Sequence, residues 1–232
     1  MRSIFTLAML GALALADTAA ARCKPDTSYA PVIDPARFVD QVDNPLWPLV
    51  PGTTTVLRGG GEVVTITVTD ETRTILGVRC VVVRDVVTVD GEVEEDTADW
   101  FAQDVDGNVW YFGEDSRELR HGRVVGREGS WEAGVDGAQP GIVMHAVQPE
   151  PGVAYRQEYY ACEAEDMAEV VGLGRSVTVP AGSYENCLET REYSPLEAGV
   201  SEHKFYAPGV GLVLEVNART GARTELVERT QT

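Results

Sequence analysis

What most constrains this chain is a succession of short β-branched runs cut by glycine-containing turns. Val64, Ile66 and Val68 alternate with Thr65, Thr67 and Thr69, the period-two pattern of a half-buried strand. Val78 to Val89 is apolar on both faces at first, as in a strand that lies centrally in a sheet. Asp90-Gly91, Asp106-Gly107-Asn108 and His121-Gly122 fall between such runs, where Asp-Gly and its relatives supply the positive φ of a tight hairpin. Further strands are predicted at 155–161, 167–171, 176–179, 187–193, 202–207, 211–216 and 223–228. The short, regular spacing of the turns predicts a mainly β fold: a single curved antiparallel sheet or half-barrel, built as an up-and-down meander. The stretch from Gly129 to Gly152 breaks that rhythm with repeated glycine and proline and reads as a long loop over one face or mouth of the sheet.

The ends divide the chain into three parts. Residues 1–21 read as a signal peptide: Arg2, an apolar run from Ile4 to Ala16, and a small-residue site at Ala19 to Ala21. The apolar run is too short to span a bilayer as a helix. Cleavage near Ala21 predicts a secreted or periplasmic protein. Arg22 in front of Cys23 argues against a lipid-modified cysteine, which needs small residues before it. Residues 22–52 hold Pro25, Pro31, Pro35, Pro45, Pro48 and Pro51, an extended entry segment that cannot be helical. Phe38, Leu46, Trp47 and Leu49 are its expected anchors. Residues 53–232 form one β-domain.

The formal net charge of -18 repels nucleic acid and anionic lipid, and no later stretch is apolar enough to cross a membrane as a helix. The four cysteines, Cys23, Cys80, Cys162 and Cys187, suggest disulfides in an oxidising compartment. Three pairings are possible, and Cys162–Cys187 with Cys23–Cys80 keeps each bridge within one half of the chain.

Three phrases carry a resemblance: Pro48 to Gly52 (PLVPG), Val177 to Tyr184 (VTVPAGSY) and Tyr206 to Val213 (YAPGVGLV), with the block Asp96 to Gly113 between them. They resemble exported bacterial proteins called TapB-like, many of them uncharacterised. The resemblance covers most of the chain after the signal and implies a curved half-barrel similar to the LolA/LolB-like fold, with an apolar concave side. It brings no catalytic residues, since its motifs are turns and core strands.

The candidate sites come from the residues themselves. Asp104, Asp106 and Asn108 open like a calcium loop, but Val109 and Asp115 stand where an EF-hand needs Gly and Glu. The segment therefore reads as a hairpin turn before it reads as an improvised calcium site. Glu163, Glu165, Asp166 and Glu169 form the densest acidic cluster, read as a solvated edge before a cation site. No regular zinc spacing, nucleophile elbow or phosphate-binding glycine pattern is present. His203, Tyr160 and Glu158 are the candidate catalytic groups if they converge in one cleft. Arg156, beside Glu158 and Tyr160 in alternation, is the polar candidate for orienting a ligand, and Trp131, Ile142, Val143 and Met144 of the Gly/Pro stretch are the apolar ones. Binding of a small apolar or amphipathic molecule in the concave face ranks first. A cell-envelope lyase or hydrolase ranks second and a calcium-binding surface protein third. No cofactor is called for unless calcium binds, and the oligomeric state is open.

Overall fold

The computed structural model describes residues 25, 26 and 28–232; the expected signal peptide and Cys23 lie outside them. Sixteen strands form one antiparallel sheet: β1 (Phe38–Val39), β2 (Thr53–Gly59), β3 (Glu62–Ile75), β4 (Val78–Val89), β5 (Glu92–Asp104), β6 (Val109–Arg120), β7 (Arg123–Gly126), β8 (Trp131–Glu132), β9 (Gln139–Met144), β10 (Ala154–Arg156), β11 (Glu158–Tyr159), β12 (Met167–Val179), β13 (Gly182–Tyr193), β14 (Glu202–Ala207), β15 (Gly211–Asn217) and β16 (Arg223–Gln231). Two meanders, β2 to β6 and β12 to β16, join where β16 pairs with β2. The path runs β10-β12-β13-β14-β15-β16-β2-β3-β4-β5-β6-β9-β11, with β1, β7 and β8 beside it.

The sheet curls into a nearly closed barrel with one seam. Its two end strands, β10 and β11, are neighbours in sequence, separated by Gln157 alone. One short stretch of chain therefore pairs with β12 through Ala154–Arg156 and with β9 through Glu158–Tyr159. The crossing is tight: a Cβ on Gly141 of β9 would lie 2.3 Å from the Gln157 carbonyl carbon. The predicted strand at 155–161 is thus split by the change of partner.

The hairpin turns fall where the sequence places them, and the Gly129–Gly152 stretch carries the two short strands β8 and β9. Gly113, at φ 126, forms the kink of β6 that admits β8: a Cβ there would stand 2.2 Å from the Trp131 carbonyl oxygen. The expected strands at 167–171 and 176–179 are one strand, β12, bent by register shifts between Val170 and Val177. The distal half of the β12–β13 hairpin folds back on the sheet. The Ala181 N–H donates to the Leu226 carbonyl at 3.1 Å, and the Arg223 guanidinium donates to the Thr178 carbonyl at 3.4 Å. Val177, Val179, Cys187, Leu214 and Leu226 make a second apolar cluster there.

Neither expected cysteine pairing forms. Cys80 and Cys187 are both free and buried, and they sit in separate apolar clusters. Their strands carry each of them into a packed apolar core.

Candidate functional site

Cross-strand partners in an antiparallel sheet share a face, so the register identifies the wall of the lumen. Arg229 stands opposite Thr55, Thr55 opposite Ile66, and Ile66 opposite Asp85. Val83 stands opposite Asp99, and Phe101 opposite Tyr111. On the other side Thr190 faces Lys204, and Lys204 faces Glu215. The interior is polar over much of its height. The apolar concave face implied by the resemblance is therefore confined to one end.

Two groups of buried carboxyls fill the middle. In the first, the Lys204 ammonium lies 3.2 Å from Glu192, 3.5 Å from Glu215 and 4.0 Å from Glu202. Tyr206 donates its hydroxyl to Glu192 at 2.7 Å, and Thr190 donates to the same oxygen at 2.8 Å. Burial alone pulls the Lys204 ammonium down, but Glu192, Glu215 and Glu202 outweigh it and hold the lysine protonated. Burial pushes Glu215 up to about 8 in spite of Lys204. In the second group, Tyr111 donates to Asp99 at 2.9 Å and the Trp131 indole donates to Glu158 at 3.0 Å. Burial raises Asp99 to about 7, against the Tyr111 hydrogen bond and with help from Glu95. Glu114 and Glu158 are raised well above their ordinary range by burial and by their acidic neighbours. Asp85, also raised by burial, feels Asp99 and Glu95 from its own side, and Glu215 and Lys204 from the other group. The two groups therefore meet across the lumen.

One mouth of this barrel is strapped shut. The entry segment doubles back on itself at 42–49, where the Leu49 N–H donates to the Val42 carbonyl at 2.9 Å. Gln103 accepts from the backbone N–H groups of Asp43 and Asn44 at 2.9 and 2.8 Å. The Gly209 N–H, in the β14–β15 turn, donates to the Pro45 carbonyl at 2.7 Å. Trp47 inserts between Phe101 of β5 and Tyr206 of β14, with both ring centroids 5.6 Å away.

A half-enclosed cavity of about 70 Å³ remains beneath the strap. Trp47, Leu49, Ile66, Val83, Phe101 and Leu212 supply its apolar wall. Thr53, Thr55, Asp85, Asp99 and Arg229 supply its polar groups. Three of these carry a buried atom without a hydrogen-bond partner: Thr53 Oγ1, Asp85 Oδ1 and Arg229 Nε. Buried polar atoms are almost always satisfied, and leaving one unpaired costs about 1–3 kcal/mol. Three on one cavity wall make it the candidate site. A larger space of about 590 Å³ lies among the hairpin tips at the opposite mouth, edged by Glu92, Glu94, Glu118, Arg120 and His121. It is bounded by the ends of β4, β5 and β6 with their turns, and no buried unpartnered polar atom lines it.

The residues singled out from the sequence lie elsewhere. His203 Nδ1 contacts Glu189 at 2.8 Å, and Glu189 is also held by Arg175 at 2.7 Å. In β14, His203 and Lys204 alternate, so His203 turns away from the lumen that holds Lys204. Glu158 is locked on Trp131 inside, and Tyr160 pairs with Ala164 in a tight turn. The three proposed catalytic groups are therefore not assembled. Trp131, Val143 and Met144 are core residues. Arg156 lies 3.0 Å from Asp26 and 3.7 Å from Glu165, and it covers the Tyr159 ring at 4.6 Å. This ties the start of the described chain over the seam, where Tyr29 also donates to the Pro140 carbonyl at 2.9 Å.

Asp104 serves its own hairpin. It accepts from the Asp106 and Asn108 N–H groups at 3.0 and 2.9 Å, and from the Asn108 amide and Trp110 indole at 2.9 and 2.8 Å. Asp106 pairs with Arg37 at 2.6 Å. The other acidic cluster is dispersed, with Glu165 accepting from the Cys162 N–H at 2.8 Å and Glu169 paired with Arg191 at 2.6 Å. Among the described residues no group of three or more His, Cys, Asp or Glu is arranged to hold a metal.

Fold and site together define a nearly closed antiparallel barrel with a polar lumen and a strapped pocket at one mouth. No family model matches the chain, and no curated protein does. Among solved structures, that of a candidate lipoprotein from Parabacteroides distasonis ATCC 8503 aligns over 80% of this chain and 98% of that one, with 14% identity and a TM-score of 0.44. So slight a likeness carries neither fold nor function, and both rest here on the chain's own residues.

Proposed function

We propose that this is an exported carrier or sensor that binds a small amphipathic molecule in the pocket beneath the 42–49 strap. The observation that carries the reading is that Thr53 Oγ1, Asp85 Oδ1 and Arg229 Nε, all buried and unpartnered, line one cavity whose wall is largely apolar. Ligand pockets combine mostly apolar walls with a few convergent polar groups in this way, often at barrel mouths. The volume of about 70 Å³ is roughly half of the ~150 Å³ cavity that holds a benzene ring. A ligand therefore seats its polar head and a short apolar segment, and any longer body leaves past the strap.

Native mass spectrometry of the protein purified from an exporting host, compared with the denatured chain, tests this. A small molecule released on denaturation, or a rise in melting temperature with short amphiphiles, is the expected result. A ligand-free protein whose melting temperature ignores every such probe overturns the reading.

A further inference from the structure

We infer that the pocket beneath the strap selects a ligand with a carboxylate head, held between the Arg229 guanidinium and the Thr53 hydroxyl. This rests on the reading of the pocket as a binding site and specifies its chemistry.

The placement comes from the register. Arg229 is opposite Thr55 and Gln231 is opposite Thr53, so Arg229 and Thr53 are diagonal neighbours, about 7–8 Å apart at Cα and within reach of a long side chain. Thr53 is 3% exposed, and its hydroxyl has no partner. Arg229 Nε is likewise buried and unpartnered. Both groups donate hydrogen bonds, and a guanidinium beside a hydroxyl matches the two oxygens of a carboxylate. Arg229 as a whole is half-buried, but a buried guanidinium N–H is normally paired with an acceptor. Among the described residues no ion pair engages Arg229, whereas the neighbouring lumen cation, Lys204, is surrounded by Glu192, Glu202 and Glu215.

Asp85 is not the missing partner. It lies on the same row as Arg229, but Thr55 and Ile66 stand between them, three strand spacings or roughly 14 Å along the wall. Its carboxyl is driven toward the neutral form by burial and by Asp99 and Glu95, so Arg229 is the fixed charge at this mouth. Between the two poles run Ile66, Val83, Phe101 and Trp47, which take an apolar body. The ligand class is a short-chain amphipathic carboxylate.

Isothermal titration of the full chain with hexanoate, hexanamide and hexylamine separates the possibilities, because the three share a body and differ in the head. Hexanoate is expected to bind about ten-fold or more tightly than the other two, in keeping with charge-assisted over neutral hydrogen bonding. Arg229→Gln should erase that preference and Arg229→Lys should keep part of it. Thr53→Val should weaken hexanoate without favouring hexylamine. Equal or tighter binding of hexanamide or hexylamine overturns the carboxylate assignment and leaves the pocket reading standing. Binding of none of the three, by a protein that also carries no small molecule in native mass spectrometry, overturns both. Should a variant fail to fold, the three heads compared on the unaltered protein decide the matter.

Discussion

Lys204 is 2% exposed and holds three carboxylates in the barrel interior. Removing one partner of a buried ionic group costs about 3–5 kcal/mol, because the charges left behind lose their compensation. Lys204→Met should therefore destabilise the fold by about that amount at pH 8. At pH 5 the loss should be smaller, since Glu215 and Glu202, already raised by burial, then take up protons and no longer need a cation. Urea unfolding of the variant and the parent at the two pH values checks this, and an equal loss at both would contradict it. This residue also shows the limit of sequence reading. The alternation of Glu202, Lys204 and Tyr206 was legible, but a charged face pointing into a lumen is written with the same letters as one pointing into water. The same ambiguity placed His203 among candidate catalytic groups, although its contact is with Glu189 away from the lumen.

At the level of elements, the proline-rich entry is the piece whose role exceeds its secondary structure. Its prolines keep it extended, and Trp47 converts it into a plug by packing on Phe101 and Tyr206. Trp47→Ala should cost about 3–5 kcal/mol of stability, as for other buried aromatic truncations. It should also widen the pocket, so that an apolar dye binds the folded variant more strongly than the parent. Thermal melts and dye fluorescence measure the two effects, and an unchanged melting temperature would show that the strap is not anchored there. The hairpins were plain in the sequence because Asp90-Gly91 and His121-Gly122 declare their turns locally; Asp90, Gly91, His121 and Gly122 all have positive φ. The anchors Phe38, Leu46, Trp47 and Leu49 were legible for the same reason, as isolated apolar residues in a polar, proline-rich stretch. The partners of Cys80 and Cys187 were not, because cysteine spacing says nothing of which core a strand will enter. The polar half of the pocket was missed as well: Thr53, Asp85 and Arg229 are far apart in sequence, and only the pairing of β16 with β2 brings the first and last together. Alternating Thr53 and Thr55 at the head of β2 was the signal available.

The whole molecule is a barrel whose interior keeps protons that an unfolded chain releases. Asp99 and Asp166 are raised from 3.8 to about 7, and Glu215 from 4.5 to about 8, with burial the leading cause in each. For an acid raised by folding, the native state binds more protons than the unfolded state between the two values, so stability falls as pH rises through that window. The contribution of these groups to the melting temperature should therefore be fullest at about pH 4, decline toward pH 8 and level off above it. A flat profile between pH 5 and 8 would contradict the buried carboxyl network. The antiparallel meander behind this barrel was legible strand by strand, whereas its closure was not, because closure is decided by how far accumulated twist and bulges carry the two ends of the sheet. The ends meet at Gln157, where one continuous stretch of backbone serves both borders. The circle is thus completed by a covalent hinge-pin, and not by a ladder that can slip. A single peptide-bond cut there would leave every strand pairing in place, yet only the seam contacts of Arg156 with Asp26 and Tyr159, of Tyr29 with Pro140, and of Gln157 with Asp166 would then hold the two borders together.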